Sequence, residues 1–325
     1  MKKWPVIAGM CFGLSLLCLS PVSAQTYPNR PIRLVVGFPP GGGADLIARV
    51  FADQLGQKLN TPVIVVNMPG AGSGIGAAYV AKAASDGYTL FMSTSSLTIN
   101  PSIYRSVNYD PIKDFVPIAK IGTSPFYVVV DANSKFKTLG QVLDAAKSRP
   151  GQLTYASGGV GSVGNLAAEL LKSQAGVDFL HVPFKGLAPA VNALLGGTVD
   201  MSFSDLAPSI GLIKAGKLRA LATTGPSRSQ WLPDVPAVAE SGLPSYSVEL
   251  WYGLFAPAGT PDQVVQALHR NANALLTSPS EALKDRYNTL GVNIAKPGSQ
   301  EEFSKFVRAD VALWRGIVTK AGIKE

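Results

Sequence analysis

Short apolar runs, separated by segments of helical periodicity, form the main pattern of the chain. The runs at 32–36, 63–66 and 89–92 are almost continuously apolar, as expected for strands of a parallel sheet that is covered on both faces. Segment 46–59 lies between the first two runs and places Leu46, Val50 and Leu55 on one helical face. This strand–helix–strand order predicts an α/β fold.

Two longer apolar stretches, 115–130 and 248–255, predict where the chain passes between two domains; the first is broken at Gly122 and Pro125. Between them, strand-like runs at 153–155, 179–182, 201–203 and 220–223 alternate with helical segments at 139–148, 166–174, 188–195 and 207–215. Helical segments at 261–276, 280–290 and 300–321 follow, and we expect them to pack on the first domain. We therefore predict domain 1 from 25–123 plus 249–325, and domain 2 from 124–248.

Two glycine-rich loops carry the clearest chemical signal. Each follows a predicted strand and precedes a predicted helix, an arrangement that presents backbone N–H groups and the positive end of a helix dipole to an anion. The alternative for each loop is a tight strand-to-helix turn without a ligand. Asp45 either caps the following helix or orients the first loop. The first loop contains Phe38, Pro39, Pro40, Gly41, Gly42, Gly43 and Asp45, and the second contains Ser157, Gly158, Gly159, Gly161 and Ser162.

Other residues follow predicted strands, where ligand clefts of α/β proteins form. Thr94 and Ser95 come after the run at 89–92. Lys185, between Phe184 and Gly186, is either a solvated surface charge or a contact for an acidic ligand. Asp205 either caps the next helix or accepts a hydrogen bond from the ligand. The stretch 72–76 has glycine spacing similar to a dinucleotide motif, but a structural turn is the favoured interpretation, since no suitable acidic residue follows a later strand.

The N-terminus has the features of a cleaved signal peptide over residues 1–24. Lys2 and Lys3 precede an apolar stretch at 6–19, and small residues end the segment at Ala24. Both cysteines, Cys11 and Cys18, lie inside it, so the mature chain is predicted to lack disulfides and cysteine-bound metals. We therefore expect an exported, periplasmic protein.

The remaining composition argues for small-molecule binding. The net charge is +8, but the basic residues are scattered, which disfavours nucleic-acid binding. His181 and His269 have no metal spacing and no partner nearby in the sequence, so each is interpreted as a surface or packed histidine. We expect no metal, no cofactor and no catalytic residue. The alternative is an exported hydrolase that uses Ser157 or Ser162, which would need a base within about 3 Å of the serine.

An ordered set of motifs resembles a known family. They are GFPPGGGAD at 37–45, NMPGAGSG at 67–74, DGYTL at 86–90, FKG at 184–186, GKLRALA at 216–222 and WYGLFAPAGTP at 251–261. Together they resemble the Bug receptors, the periplasmic solute-binding proteins of tripartite tricarboxylate transporters. The resemblance covers essentially the whole mature chain. It differs where the family often has histidines: here Leu97 and Thr98 follow the Thr-Ser-Ser motif, and Asn165 follows the second glycine loop.

The resemblance implies a two-domain type II periplasmic binding protein, or Venus-flytrap, fold with a small carboxylate in the interdomain cleft. It implies a receptor, not an enzyme, that acts as a monomer with membrane components of the transporter. A ligand sensor for a signalling partner has the same fold and remains an alternative. By position, the implied ligand-binding residues are Phe38, Pro40, Gly41, Gly42, Gly43, Asp45, Thr94, Ser95, Ser157, Gly158, Gly159, Gly161, Ser162, Phe184, Lys185, Gly186 and Asp205.

Overall fold

The computed structural model describes residues 27–184 and 186–322, so the predicted signal peptide at 1–24 lies outside it. The strands, β1 to β11 in chain order, are Ile32–Val36, Val63–Asn67, Thr89–Thr94, Phe115–Pro125, Tyr127–Asp131, Thr154–Ser157, Leu180–Pro183, Met201–Ser204, Leu218–Thr223, Glu249–Pro257 and Asn293–Ile294. The α-helices, α1 to α10, are Gly43–Leu59, Gly74–Ala81, Ser96–Ile103, Leu139–Ser148, Val163–Ala175, Leu187–Leu195, Leu206–Lys214, Asp262–Thr277, Glu281–Thr289 and Gln300–Ala321. None of these described helices is long and apolar enough to cross a membrane.

The strands form two sheets of matching order. The first sheet runs β2-β1-β3-β10-β4-β11, and the second runs β7-β6-β8-β5-β9. In the first sheet β1 is parallel to β2 and β3, and β10 is antiparallel to both its neighbours. In the second, β6 is parallel to β7 and β8, and β5 is antiparallel to β8 and β9. The edge strand β11 is also antiparallel to its neighbour β4. Each sheet therefore contains an antiparallel strand, β10 or β5, that is the next strand after the chain leaves the other sheet.

The two predicted crossings lie close to these exchanged strands. β4 ends at Pro125 in the first sheet and β5 begins at Tyr127 in the second. The backbone N–H of Phe126, between them, donates to Thr224 Oγ1 at 2.9 Å. The break falls at Phe126, next to the predicted break at Pro125, whereas Gly122 lies inside β4. The domain limits at 123/124 and 248/249 remain predictions.

Helices pack on both faces of each sheet, which explains the near-continuous apolar runs. One core of the first sheet packs β1 residues Ile32 and Leu34 against Phe51 of α1 and Leu268 of α8. A core of the second sheet packs Val129 against helix residues such as Val191 of α6. Helix α2 begins at Gly74, inside the stretch 72–76 that was interpreted as a turn, and the short strand β11 was not predicted.

The C-terminal helix α10 joins the two halves. Phe303 and Val307, near its start, pack with Trp251 and Phe255 of β10. Further along the same helix, Trp314, Ile317 and Val318 belong to the core formed by Val128, Leu166 and Phe203 of the second half. The prediction that all the tail helices pack on the first domain is therefore wrong for the end of α10. At 22 residues and 1.5 Å per residue, roughly 33 Å, the helix is long enough to reach both cores.

A buried carboxylate fixes α10 at this junction. Asp310 is 7% exposed and accepts hydrogen bonds from Thr98 Oγ1 at 2.5 Å and Trp251 Nε1 at 2.9 Å. Burial raises the pKa of Asp310, and these hydrogen bonds oppose that rise. The contacts connect α10 to α3 and β10.

We expect Trp314→Ala to lower the free energy of unfolding by about 3–5 kcal/mol, because it leaves a cavity in the second core. The neighbouring Leu313 is 46% exposed, whereas Trp314 is 2% exposed. Leu313→Ala is therefore the matched control, with an expected loss below about 1 kcal/mol. Urea unfolding of both variants measures the difference, and equal losses would contradict the assignment of Trp314 to the core.

Candidate functional site

The first glycine loop leaves the carboxyl end of β1 and enters α1. Helix α1 has Gly42 at its N-cap, and no side chain of the described residues caps it. Residues 39–43 are exposed, and Gly41 has a φ of +83°, which favours glycine. Exposed N–H groups at the positive end of a 17-residue helix are suited to bind an anion.

Asp45 orients this loop from inside. Its Oδ2 accepts the N–H of Gly41 at 2.8 Å, and its Oδ1 accepts Asn67 Nδ2 at 2.9 Å. Asn67 Nδ2 also donates to the Phe38 carbonyl at 2.9 Å. Asp45 is the third residue of α1 and not its cap, so orientation of the loop is confirmed and capping is wrong.

The charge of Asp45 is balanced within the same network. Arg49 Nη2 lies 2.9 Å from Asp45 Oδ1, and its Nε donates to Oδ2 at 3.0 Å. Burial alone would raise the pKa of Asp45, but the hydrogen bonds from Arg49, Gly41 and Asn67 outweigh it and lower that pKa. The carboxylate therefore supports the loop while its partners shield its charge.

The predicted pair at the end of β3 is buried and structurally engaged. Ser95 Oγ accepts the backbone N–H of Trp251 at 3.1 Å, and Thr94 Oγ1 is 3.0 Å from Ser96 Oγ. Thr94 is in register with Tyr252 of β10. The Tyr252 hydroxyl would lie 3.7 Å from a β-carbon placed on Gly43, so Tyr252 borders the first loop although the sequence did not single it out.

The second glycine loop joins β6 to α5 and contacts the other half of the molecule. Ser162 caps α5 by accepting the N–H of Asn165 at 3.3 Å, and its hydroxyl donates to the Gly159 carbonyl at 2.7 Å. Gly161 has a φ of +72°. A β-carbon there would lie 2.3 Å from Ile103 Cδ1 at the end of α3, so the loop requires glycine for this close approach.

Each of the two loops contains an equivalent internal hydrogen bond. The N–H of Gly161 donates to Asn165 Oδ1 at 2.9 Å, just as the N–H of Gly41 donates to Asp45. In both cases the acceptor is four residues later, in the first turn of the helix that follows. The acceptor is charged in the first loop and neutral in the second.

His181 is packed, and its partners come from residues distant in the sequence. Its Nε2 is 2.7 Å from Ser157 Oγ, and its Nδ1 is 3.4 Å from Asn165 Nδ2. Its ring stacks on Tyr155, with centroids 4.7 Å apart. The register of the parallel strands β6 and β7, which pairs Tyr155 with His181, produces this arrangement. His269 is packed: its Nδ1 is 2.7 Å from the Ile118 carbonyl.

The segment after β7 lies along the second loop. Phe184 N–H donates to the Ser157 carbonyl and Gly186 N–H to the Gly158 carbonyl, both at 3.2 Å. Gly186 is the N-cap of α6 and has a φ of +110°. Lys185 lies outside the described residues, so its two interpretations stay open.

Asp205 occupies the N-cap position of α7, but its side chain makes no capping hydrogen bond to the described helix. Burial raises the pKa of Tyr252, and the negative charge of Asp205 adds to that rise. The adjacent Leu206 packs against Gly291, where a β-carbon would lie 2.7 Å from Leu206 Cβ. Tyr252 therefore lies between the first loop and the start of α7. Among the described residues, no group of three or more His, Cys, Asp or Glu residues could hold a metal ion.

Residues 47–323 match the family model described as the tripartite tricarboxylate transporter family receptor. The chain belongs to this receptor family. The match covers most of the chain and includes the second sheet, every strand of the first sheet except β1, the second glycine loop and α10.

Solved structures of relatives share its fold. An R. palustris protein with adipate is 33% identical with a TM-score of 0.80, covering 92% of this chain and 100% of that one. The periplasmic binding protein BugD is 32% identical with a TM-score of 0.78, covering 92% and 100%. MatC from Rhodopseudomonas palustris with bound malate is 30% identical with a TM-score of 0.75, covering 90% and 100%. The predicted family and the two-domain α/β fold are confirmed.

In this receptor, the stability of the second loop region should depend on pH through His181. Burial lowers the pKa of His181 from ~6.5 to about 4, and the nearby Lys172 cation adds to the shift. Below pH 6.5 the unfolded chain binds a proton that the folded chain accepts only near pH 4. The associated stability is thus complete above pH 6.5 and is lost as pH falls toward 4, by at most about 3 kcal/mol.

His181→Gln removes this titration. We expect the difference in unfolding free energy between wild type and variant to shrink as pH falls from 7 to 4, measured by urea unfolding at each pH. Both proteins keep Glu169, Asp178 and Lys172 nearby, so the comparison isolates the contribution of His181. A difference that stays constant across this range would contradict the buried, neutral state of His181.

Proposed function

We propose that this protein is a periplasmic receptor that binds a small carboxylate between its two glycine loops and presents it to the membrane components of a tripartite tricarboxylate transporter. The observation that carries the proposal is the exposed backbone of Gly42 and Gly43 at the N-terminus of α1, where no described side chain provides a cap. Such N–H groups satisfy a carboxylate without a basic side chain. The preceding prolines carry no N–H, and the N–H of Gly41 is donated to Asp45.

Small organic acids, including dicarboxylates, are the proposed ligand class. The solved structures of two relatives, one with adipate and one with bound malate, support it. The glycine loops contain no Lys or Arg, and the nearby Arg49 is paired with Asp45. Binding through neutral backbone groups recognises the carboxylate and leaves the rest of the ligand to the other cleft residues. The ligand-binding set predicted from the sequence, including Thr94, Phe184 and Asp205, is proposed for this role.

Export and transport complete the proposal. Residues 1–24 would direct the chain to the periplasm and be removed. Closure of the two domains over the ligand would exclude water and strengthen the hydrogen bonds. The closed monomer would then dock on the membrane components, so that the ligand acts by shifting the population of the docking state. A sensor role is the alternative, and a pull-down with ligand-loaded protein distinguishes a signalling partner from transporter subunits.

The geometry disfavours the hydrolase alternative even though a base is within reach. Ser157 Oγ is 2.7 Å from His181 Nε2, but Ser157 is fully buried and the pKa of His181 is lowered to about 4 by burial. A general base that weak is poorly matched to neutral pH. Nδ1 faces an amide of Asn165 and not a carboxylate. Ser162 is engaged in capping α5. We therefore propose a binding protein without catalytic activity.

Calorimetric titration with mono-, di- and tricarboxylates tests the receptor. We expect at least one acid, with malate and adipate as the first probes, to bind with micromolar or tighter affinity and its diamide to bind at least about 100-fold more weakly, since the charge is lost. Absence of binding by every acid, or equal binding of acid and diamide, would contradict carboxylate recognition.

Gly43→Ala tests the place of binding. A β-carbon there meets Tyr252 Oη at 3.7 Å, an ordinary contact, so the fold should persist. The methyl group would crowd the N-terminus of α1 and should lower the affinity for the ligand by about tenfold or more. Gly316→Ala is the matched control: it lies on α10 with no atom within 4 Å of the added carbon, and affinity should not change. Equal affinities of the two variants would place the ligand elsewhere.

A further inference from the structure

A chain of hydrogen bonds runs from the second glycine loop into α5. It connects Ser157 to His181, then to Asn165, Tyr155 and Glu169. Glu169 is held in turn by Lys172, whose Nζ lies 3.1 Å from Glu169 Oε1 and 3.1 Å from Asp178 Oδ1. We call the five residues from Ser157 to Glu169 the His181 chain. None of the sequence motifs pointed to it.

The carboxylate at one end fixes the direction of every bond. An ionised carboxylate only accepts hydrogen bonds, so the Tyr155 hydroxyl donates to Glu169 at 2.8 Å. The Tyr155 oxygen then accepts Asn165 Nδ2 at 2.7 Å. The opposite end of this amide, Asn165 Oδ1, accepts the N–H of Gly161 at 2.9 Å. If the amide were flipped, its NH2 group would face the N–H of Gly161, and both are donors. The orientation of Asn165 is therefore determined.

The same logic determines the histidine tautomer. Because Nδ1 faces the Asn165 amino group, it must be the acceptor, and the ring proton resides on Nε2. Nε2–H therefore donates to Ser157 Oγ at 2.7 Å. Ser157 Oγ also accepts the N–H of Gly159 at 3.2 Å, and its own proton goes to the Gly159 carbonyl at 3.1 Å. All three hydrogen-bonding capacities of the hydroxyl are used.

We propose that His181, as the Nε2–H tautomer, is a positioning residue for the second glycine loop: it holds the Ser157 hydroxyl so that both backbone polar groups of Gly159 are fixed. Gly159 has a φ of +130°, a conformation open to few residues other than glycine, so its orientation needs such support. The consequence for ligand binding rests on the proposed function, whereas the positioning itself does not.

Two further observations support the role. The parallel stack of His181 on Tyr155, with planes 16° apart, restricts rotation of the ring. Burial and the Lys172 cation lower the pKa of His181 to about 4, so the ring stays neutral and keeps one tautomer at neutral pH. In this arrangement the histidine donates and Ser157 accepts. In a nucleophile–base pair the serine hydroxyl would instead donate to the histidine.

Nitrogen-15 NMR of the histidine side chains tests the tautomer without any ligand. The chain contains two histidines, so His269→Gln assigns the signals of His181. We expect the shift pattern of an Nε2–H ring with an unprotonated Nδ1 at pH 7. An Nδ1–H ring, or a rapid mixture of both tautomers, would overturn the proposal.

Two variants of His181 distinguish the contribution of its hydrogen-bond donor from that of its stacked ring. His181→Gln retains an amide donor toward Ser157 but loses the stack, and His181→Phe retains the stack but loses the donor. We expect amide exchange at Gly159 to accelerate by about tenfold or more in the Phe variant and to stay within about threefold of wild type in the Gln variant. Equal exchange in both variants, or faster exchange in the Gln variant, would overturn the role.

Affinity for malate and adipate, measured on the same variants, connects positioning to ligand binding. We expect about three- to tenfold weaker binding in His181→Phe and recovery in His181→Gln. If wild type binds neither acid while the tautomer and exchange results hold, the proposed ligand class fails and the positioning role stands. If wild type binds but both variants bind equally well with unchanged exchange, the positioning role fails and the receptor stands.

Discussion

The candidate site depends on one hydrogen bond that occurs twice: the N–H of a loop glycine donates to a side chain four residues later, in the first turn of the next helix. Gly41 with Asp45 and Gly161 with Asn165 form this pair. Each bond closes its loop against its own helix and leaves the remaining backbone of the turn available to a ligand. Glycine is needed on the donor side because both donors have positive φ values.

The side chains that support the two loops differ in charge. In the first loop Asp45 is ionised and its charge is matched by Arg49 on the next turn. In the second loop the acceptor is an amide, and the nearest ion pairs, those of Lys172 with Glu169 and Asp178, lie at the far end of the His181 chain. In the proposed site, both arrangements keep an unpaired charge away from the ligand carboxylate, so the proposed binding relies on backbone dipoles. A site of this kind suits a receptor that must release what it binds.

Much of the fold could be predicted because it depends on local pattern. The apolar runs located the strands, the glycines located the strand-to-helix turns, and the two long runs located the exchange of strands. The end of α10 was assigned to the wrong core because periodicity shows which face of a helix is apolar and not which core covers it. Trp314 and Phe303 lie on one helix but in different clusters.

The site could be predicted less completely, since it depends on register between strands. Tyr155 and His181 are partners only because β6 and β7 pair in one register, and one residue of slip would turn His181 to the opposite face. Tyr252 was hidden within an apolar run and becomes part of the site through its pairing with Thr94. The spacing of Asp45 from Gly41 was visible in the sequence, but it left capping and orientation open until the start of α1 was known.

A crystal structure of the protein with a bound carboxylate tests the central claim most directly. We expect the ligand carboxylate oxygens to lie about 2.7–3.2 Å from backbone N–H groups at the start of α1 and from groups of the second glycine loop. One ordered water can take the place of a direct contact. The Gly41–Asp45 and Gly161–Asn165 hydrogen bonds should remain intact. A carboxylate held by an Arg or Lys side chain away from both loops, or a ligand that breaks these two bonds, would contradict it.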